Sequence, residues 1–325
     1  MINKIHNIDA LTGLKKLEDE SIDCIITSPP YYQLRDYGHP NQIGLENSFE
    51  EYIDKLVEIF NECKRVLKSD GTMWINIGDT YNGAKIGKTD NKVSEYIKDY
   101  QYIKKVPQEG IKEKSLLGIP ARLSLKLIDA GWVLRNKIIW NKPNAMPSSV
   151  VDRFTVDYEE ILFFTKSSNY YFKQLKEPMK TRDLTVHRGS KGTLGPLNKG
   201  LRKQDQLGKA TYSNFNNRYT PSDDYLRNMR ATWTISTTPS KIKHFAMMPA
   251  EIVKRAIEAG CKVEGVVLDP FAGSGTTAII AKKMNRDFIG FEINAKYSAM
   301  AQKRISKQLR LLSLFNIEKG EVEYD

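Results

Sequence analysis

The sequence predicts an α/β fold: a doubly wound, mostly parallel open sheet with a smaller domain inserted into it. Three observations carry that prediction. Short β-branched and aromatic runs alternate with stretches of helical periodicity through most of the 325 residues, and strands separated by helices are joined by parallel crossovers. The alternation breaks over 167–235, where the chain turns basic, poor in aliphatic residues and dotted with Gly, Asn and Pro (GSKGTLGPLNKG). It then resumes, so both flanks serve one sheet. The length suits about two domains, with 1–166 and 236–325 forming the larger and 167–235 the smaller.

Taken in order, Lys4–Asn7 is a strand and Ala10–Leu17 a helix behind Asp9, whose carboxylate suits an N-cap. Asp23–Thr27 is a strand stopped by Pro29 and Pro30, which cannot donate to a ladder and keep the preceding backbone extended. Phe49–Lys68 (FEEYIDKLVEIFNECKRVLK) repeats apolar residues at helical spacing, with Ser48 as cap and Asp70-Gly71 as stop. Thr72–Ile77 follows as a strand, and the polar, lysine-rich Asn82–Ser115 reads as a long loop. Ile119–Ala130 is a helix with Pro120 in its first turn and Gly131 beyond its end. Trp132–Trp140 and Glu160–Thr165 are strands. After the insert come a helix at Pro249–Ala259, a strand at Gly265–Asp269, a helix at Thr276–Met284, a strand at Asp287–Glu292 and a final helix starting at Ala295.

Composition narrows the partners. A net charge of +11 and a pI of about 9.3 favour a polyanion. Lys173–Arg230 holds 13 Lys and Arg against 5 Asp and Glu, a surplus of 8 out of the net 11. Cys24, Cys63 and Cys261 are scattered and odd in number, with no CxxC pair, and the four histidines lack metal-ligand spacing. They read as reduced, buried thiols, so neither a disulfide framework nor a zinc site is expected. Runs such as Ile138–Trp140 and Ile161–Phe164 fall far short of the ~18 residues that span a bilayer, and MINKIHNIDALTGL lacks the apolar core of a signal peptide. A soluble, cytoplasmic protein is the expectation.

Two stretches carry chemistry. In CIITSPPYYQLRDYG, Cys24 to Gly38, a buried strand runs into a rigid turn that presents Ser28, Tyr31 and Tyr32. In VVLDPFAGSGTTAIIAKKM, an apolar strand is followed by Asp269, glycines at 273 and 275, and a helix. Glycines there let a ligand approach the backbone, and the helix start offers free N–H groups. About twenty residues on, Glu292 in FIGFEIN sits where a carboxylate accepts from two ribose hydroxyls. The spacing is FxGxG, not GxGxxG, and no lysine follows as in a P-loop.

SPPY together with FxGxG and the acid beyond it resembles S-adenosylmethionine-dependent DNA amino-methyltransferases, which methylate the exocyclic nitrogen of cytosine or adenine. SPPY comes first and the glycine loop last, with a variable segment between them. That permuted order resembles the β-group of restriction–modification systems. The likeness extends through NIDALTGLKKL, IGLENSFEEYIDKL, RVLKSDGTMWINIGDTY, IIWNKPN, EEILFFTK and HFAMMPAEIVKRAI. It implies a Rossmann-like, seven-stranded methyltransferase sheet, with S-adenosylmethionine as cofactor and double-stranded DNA as substrate. It implies a cognate restriction endonuclease as functional counterpart, and leaves monomer and homodimer open.

Carried over, Asp9 and Ala10 would meet the cofactor's adenine. Asp269, Pro270, Phe271, Gly273, Gly275 and Thr276 would line its methionine and ribose, with Glu292 and Asn294 on the ribose side. His244, Phe245 and Met248 would close the methionine pocket. Ser28, Pro29, Pro30 and Tyr31 would hold the target base, with Tyr32, Asp79, Trp140, Lys142 and Pro143 around it. The 167–235 insert would be the target-recognition domain, Arg202 and Lys203 touching DNA. The departure from the pattern is the long insertion after Tyr81.

The resemblance answers why a hydroxyl, a stiff turn and tyrosines end a core strand. An exocyclic amine is a poor nucleophile because its lone pair is delocalised into the ring. The Ser28 hydroxyl and Pro29 carbonyl, held by the proline turn, accept the amino hydrogens and free the lone pair. The base must leave the duplex to be reached, and Tyr31 supplies a face for it. Cytosine C5 methylation needs a cysteine nucleophile, usually just after a proline, and none of the three follows one. Methyltransferases acting on protein glutamine, RNA or small amines share an NPPY-type turn, but with the glycine loop before it and no basic insert. Serine before Pro-Pro-Tyr usually accompanies cytosine N4, and aspartate or asparagine adenine N6. Adenine N6 is the alternative, and an inactive DNA-binding module on the same fold the more remote one.

Overall fold

The computed structural model describes residues 1–83, 106–178, 226–237 and 247–318. The chain runs β1 (Lys4–Asn7), α1 (Ala10–Leu14), β2 (Ile22–Thr27), α2 (Phe49–Val66), β3 (Leu67–Ile77), α3 (Ile119–Asp129), β4 (Val133–Asn141) and β5 (Tyr158–Thr165). It continues β6 (Lys176–Pro178), β7 (Leu226–Asn228), β8 (Thr232–Thr234), α4 (Ala250–Gly260), β9 (Val266–Asp269), α5 (Thr276–Lys283), β10 (Asp287–Glu292) and α6 (Ala295–Glu318).

Among the described residues the large sheet has the order β1-β10-β9-β2-β3-β5-β4-β8, and of these strands only β5 runs against its neighbours. α1, α2 and α3 pack against one another over Ile25, Met73, Ile75 and Phe291, while α4, α5 and α6 form a second helical group. Two details position the site. β2 and β9 are neighbours, yet the chain leaves β2 toward β3 and leaves β9 toward β10. This reversal of winding opens a crevice at the carboxyl ends of the strands. Because β5 is reversed, its first residues, Tyr158 to Glu160, arrive at the carboxyl ends of β3 and β4.

Local chemistry explains most element boundaries. Asp9 and Ser48 cap α1 and α2 by accepting from the amides of Thr12 and Glu51. Pro120 sits in the first turn of α3. Three expectations are corrected. α2 does not coast to a stop at Asp70-Gly71; it passes at Leu67 straight into β3, because Leu67 pairs with Ile22 of β2 and Asp70 falls in the irregular stretch before Thr72. α1 ends at Leu14, although Leu17 stays buried. Among the described residues the sheet holds eight strands and not seven. β8 joins it parallel to β4, since Trp233 is too apolar to leave in water and stacks toward Trp74, itself 4.0 Å from Phe163.

The chain divides into two compact units, Gln174–Met229 and the remainder. In the smaller one, β6 and β7 form an antiparallel pair with an Arg227–Glu177 ion pair. Thus β8, which lies in the 167–235 stretch, belongs to the large sheet. Within Asn82–Ser115, residues 84–105 lie outside the described residues. The foot of that stretch is tied: the Asn82 side chain donates to the carbonyls of Gln108 and Ile111 and accepts from the Gln108 amide. Among the described residues no helix is long and apolar enough to cross a membrane.

Candidate active site

β2 is buried along its whole length and delivers the Ser28–Tyr31 turn to the mouth of the crevice. The turn is braced from α2, where the Tyr52 hydroxyl donates to the Pro30 carbonyl at 2.8 Å. Pro29 is buried and Ser28 half-buried. Among the described residues no donor reaches the Pro29 carbonyl, so an acceptor is held in a fixed direction without an internal partner.

Tyr31 is the centre of a polar cluster. Its hydroxyl donates to Glu159 at 2.5 Å. The Asn76 amide donates to the Tyr31 hydroxyl at 2.9 Å and to the same Glu159 oxygen at 2.8 Å. Lys142 pairs with the other Glu159 oxygen and lies 4.6 Å from the Trp140 ring centre. Burial and then the Glu159 charge push the Tyr31 phenol well above its ordinary pKa, so it stays a neutral donor. The ring fits because residue 78 is glycine; a Cβ there would come within 2.8 Å of it. The Asn76 Oδ1, also buried, has no partner among the described residues.

The glycine loop closes the other wall. Asp269 accepts from the Thr27 and Thr277 hydroxyls at 2.7 Å each and from the Phe271 amide at 3.1 Å. One carboxylate thereby locks β2, β9 and α5 together. Burial pushes its pKa up to about 6, against three hydrogen bonds that favour the charged form. Gly273 and Gly275 have φ of 51° and 78°, a region open to glycine and costly for other residues. A Cβ at Gly275 would also come within 3.1 Å of Ala301. The first turn of α5 has no side-chain cap, so its first N–H groups lack a side-chain acceptor from the N-cap. Glu292 accepts from the Gly273 and Asn294 amides at 2.9 and 2.8 Å, and burial raises its pKa. The Arg304 guanidinium, whose pKa burial lowers, grips the Ser274 carbonyl from α6.

A strand-end turn, a glycine loop and the Glu292 carboxylate thus lie at one switch point. The DNA methylase family model matches residues 22–303. The type II methyltransferase M.SmaI of Serratia marcescens is 36% identical over 302 residues, covering 92% of this chain and 89% of that protein. M.Cfr9I of Citrobacter freundii is 38% identical over 297 residues, covering 91% and 85%. The chain belongs to the DNA methylase family. The fold of this methylase is shared with PvuII DNA methyltransferase (cytosine-N4-specific), with a TM-score of 0.58, 18% identity and coverage of 94% and 92%. It is shared too with M1.HpyAVI solved with S-adenosylmethionine, at a TM-score of 0.53, 19% identity and coverage of 93% and 98%.

Not every residue singled out in the sequence lines the crevice of this methylase. Asp9 spends one oxygen on its helix cap, and Ala10 is buried, both following the β1 end that pairs with Glu292. Pro270 is buried, while Phe271, Thr276 and Met248 are half-buried. Asn294 caps α6 and donates to the Tyr37 carbonyl. Tyr32 is 2% exposed, its ring against Tyr52 and its hydroxyl bonded to Gln33, so it is core. Asp79 caps α3, accepting from the Gly118 and Ile119 amides. Trp140 is buried with its indole N–H on the Ile235 carbonyl. Pro143 is exposed on the loop after β4. His244, Phe245, Arg202 and Lys203 lie outside the described residues. Asn76, Glu159, Thr27 and Thr277 escaped the sequence reading. Asn76 left a signal, a polar residue inside the apolar run MWINI, where burial demands a partner.

Proposed function

We propose that this methylase transfers a methyl group from S-adenosylmethionine to the exocyclic N4 of a flipped-out cytosine in duplex DNA. The observation that supports the reading is the SPPY turn: Tyr52 occupies the Pro30 carbonyl, while no donor among the described residues reaches the Pro29 carbonyl and Ser28 is half-buried beside it. The loop fits the cofactor. Left-handed glycines allow close approach, α5 offers N–H groups, and Glu292 is a half-buried acceptor beside them. Bound there, S-adenosylmethionine supplies an electrophilic sulfonium methyl.

The chain's own residues do the rest. Ser28 and Pro29 accept the two amino hydrogens of the target and favour a tetrahedral nitrogen whose lone pair points at the methyl. Tyr31 offers its ring face to the base, held by Glu159, Asn76 and Lys142. Glu292, Phe271, Gly273 and Gly275 hold the cofactor, with Asp269 locking the loop and not touching the ligand. The Gln174–Met229 unit, with Arg202 and Lys203, reads the duplex. The serine of SPPY supports cytosine over adenine, and the type II class of the relatives supports a cytoplasmic role beside a restriction endonuclease.

DNA from cells expressing the protein, digested to nucleosides and weighed, should contain N4-methyldeoxycytidine, and base-resolved sequencing gives the site. N6-methyladenine in its place overturns the base assignment. Ser28→Ala should keep cofactor and DNA binding while losing roughly 2.7–4 kcal/mol of transition-state stabilisation. A fully active variant overturns the mechanism.

A further inference from the structure

The connection from β4 to β5, residues 142–157, is built inside out. Its polar residues anchor it. The Lys142 amide donates to the Asp157 carbonyl at 2.7 Å, closing the neck. Asn144 and Thr237 exchange two hydrogen bonds, Asp152 pairs with Lys114, and Arg153 stacks 3.7 Å from the Tyr81 ring centre. Its apolar residues face water: Met146, Val151 and Phe154 are 88%, 99% and 96% exposed. A loop of free choice would reverse that arrangement, because exposed apolar clusters are normally sites of contact.

The neck of this loop is the site itself. Lys142 begins it and Glu159 follows its end, and these two hold Tyr31. Whatever brings a base to Tyr31 therefore brings its neighbours to the loop. We infer that this loop is a DNA wedge: Phe154, with Val151 and Met146, enters the base stack next to the flipped target and fills the space it leaves. The inference rests on the DNA methylation reading above. Proteins that bend DNA insert apolar side chains of this kind between base steps and partly unstack them. A second copy of the chain fits less well, since a stable dimer buries about 800 Å² on each partner, and three side chains on one narrow loop present far less.

The test uses the full chain with Val151→Ser and Phe154→Ser together, on duplexes carrying the site found by sequencing. Pyrrolocytosine, a fluorescent cytosine analogue that still pairs with guanine, replaces the target base, and fluorescence reports its extrusion. The variant should extrude the paired target at least about tenfold less than wild type. It should recover to within about twofold when the target faces a mismatch, where extrusion costs little. Turnover on unmodified paired and mismatched duplexes should follow the same pattern, and recovery on the mismatch shows the variant to be folded. Equal extrusion and turnover by variant and wild type on paired DNA overturn the wedge alone. So does loss of a wild-type dimer in sedimentation with extrusion unchanged, which gives the face to a second copy. A wild-type protein that methylates no DNA overturns the wedge together with the function.

Discussion

Tyr31→Phe removes one oxygen and keeps the ring, so it isolates the bond that holds the aromatic face. In the folded protein that phenol donates to Glu159 at 2.5 Å and accepts from Asn76 at 2.9 Å. A hydrogen bond to a charged acceptor contributes about 1.5–3 kcal/mol net, and this variant would leave Glu159 with Asn76 and Lys142 only. Glu159→Ala removes the same bond from the other side and takes the partner charge from Lys142, whose side chain is 19% exposed. That variant should cost about 2–3 kcal/mol. Both changes delete one shared contact, so the double variant should fall short of the summed costs by about 1–2 kcal/mol. Urea unfolding of the four proteins measures the coupling. It should be unchanged from neutral to moderately alkaline pH, because the phenol's raised pKa keeps it protonated. Additivity within about 0.5 kcal/mol would refute the claim that Glu159 positions Tyr31.

Three further outcomes follow from the loop and the charge. Glu292→Gln puts an amide where the Gly273 or Asn294 N–H now donates; calorimetry should show S-adenosylmethionine binding weakened by ~1.5–3 kcal/mol, and unchanged affinity would exclude Glu292 as the ribose acceptor. The Asp269 carboxyl has a folded pKa of about 6 against an ordinary 3.8, so its contribution is fully present below pH 3.8 and lost as pH rises through 6. Relative to Asp269→Asn, wild type should lose up to about 3 kcal/mol across that window and stay level above it, and parallel stability profiles would show that burial does not set this proton. DNA affinity should fall steeply with salt, and reversing the charge of both Arg202 and Lys203 should lower the slope of log K against log salt by about 2; an unaltered slope would place both residues off the phosphates.

Alternation of periodicities was enough to read an α/β sheet and its caps, because helix and strand propensities are local and Asp9, Ser48 and Pro120 act within a turn or two of themselves. SPPY, FxGxG and Glu292 were legible for a related reason: each is a short segment whose backbone chemistry does not depend on distant partners. Tertiary structure decided what those segments face. Only strand order puts β2 beside β9, and so Ser28 near the glycine loop. Only the reversal of β5 brings Glu159, 128 residues from Tyr31, onto its hydroxyl. The same long-range pairing gave Asp79 a capping, Trp140 a packed and Tyr32 a core role, since each is set by neighbours remote in the chain. It also drew Thr232–Thr234 into the sheet as an eighth strand. Burial is a property of the assembled fold, which is why the outward-facing Phe154 could not be told from an ordinary loop residue by sequence alone, and why Asn76, marked only as a polar residue in an apolar run, showed no partner there.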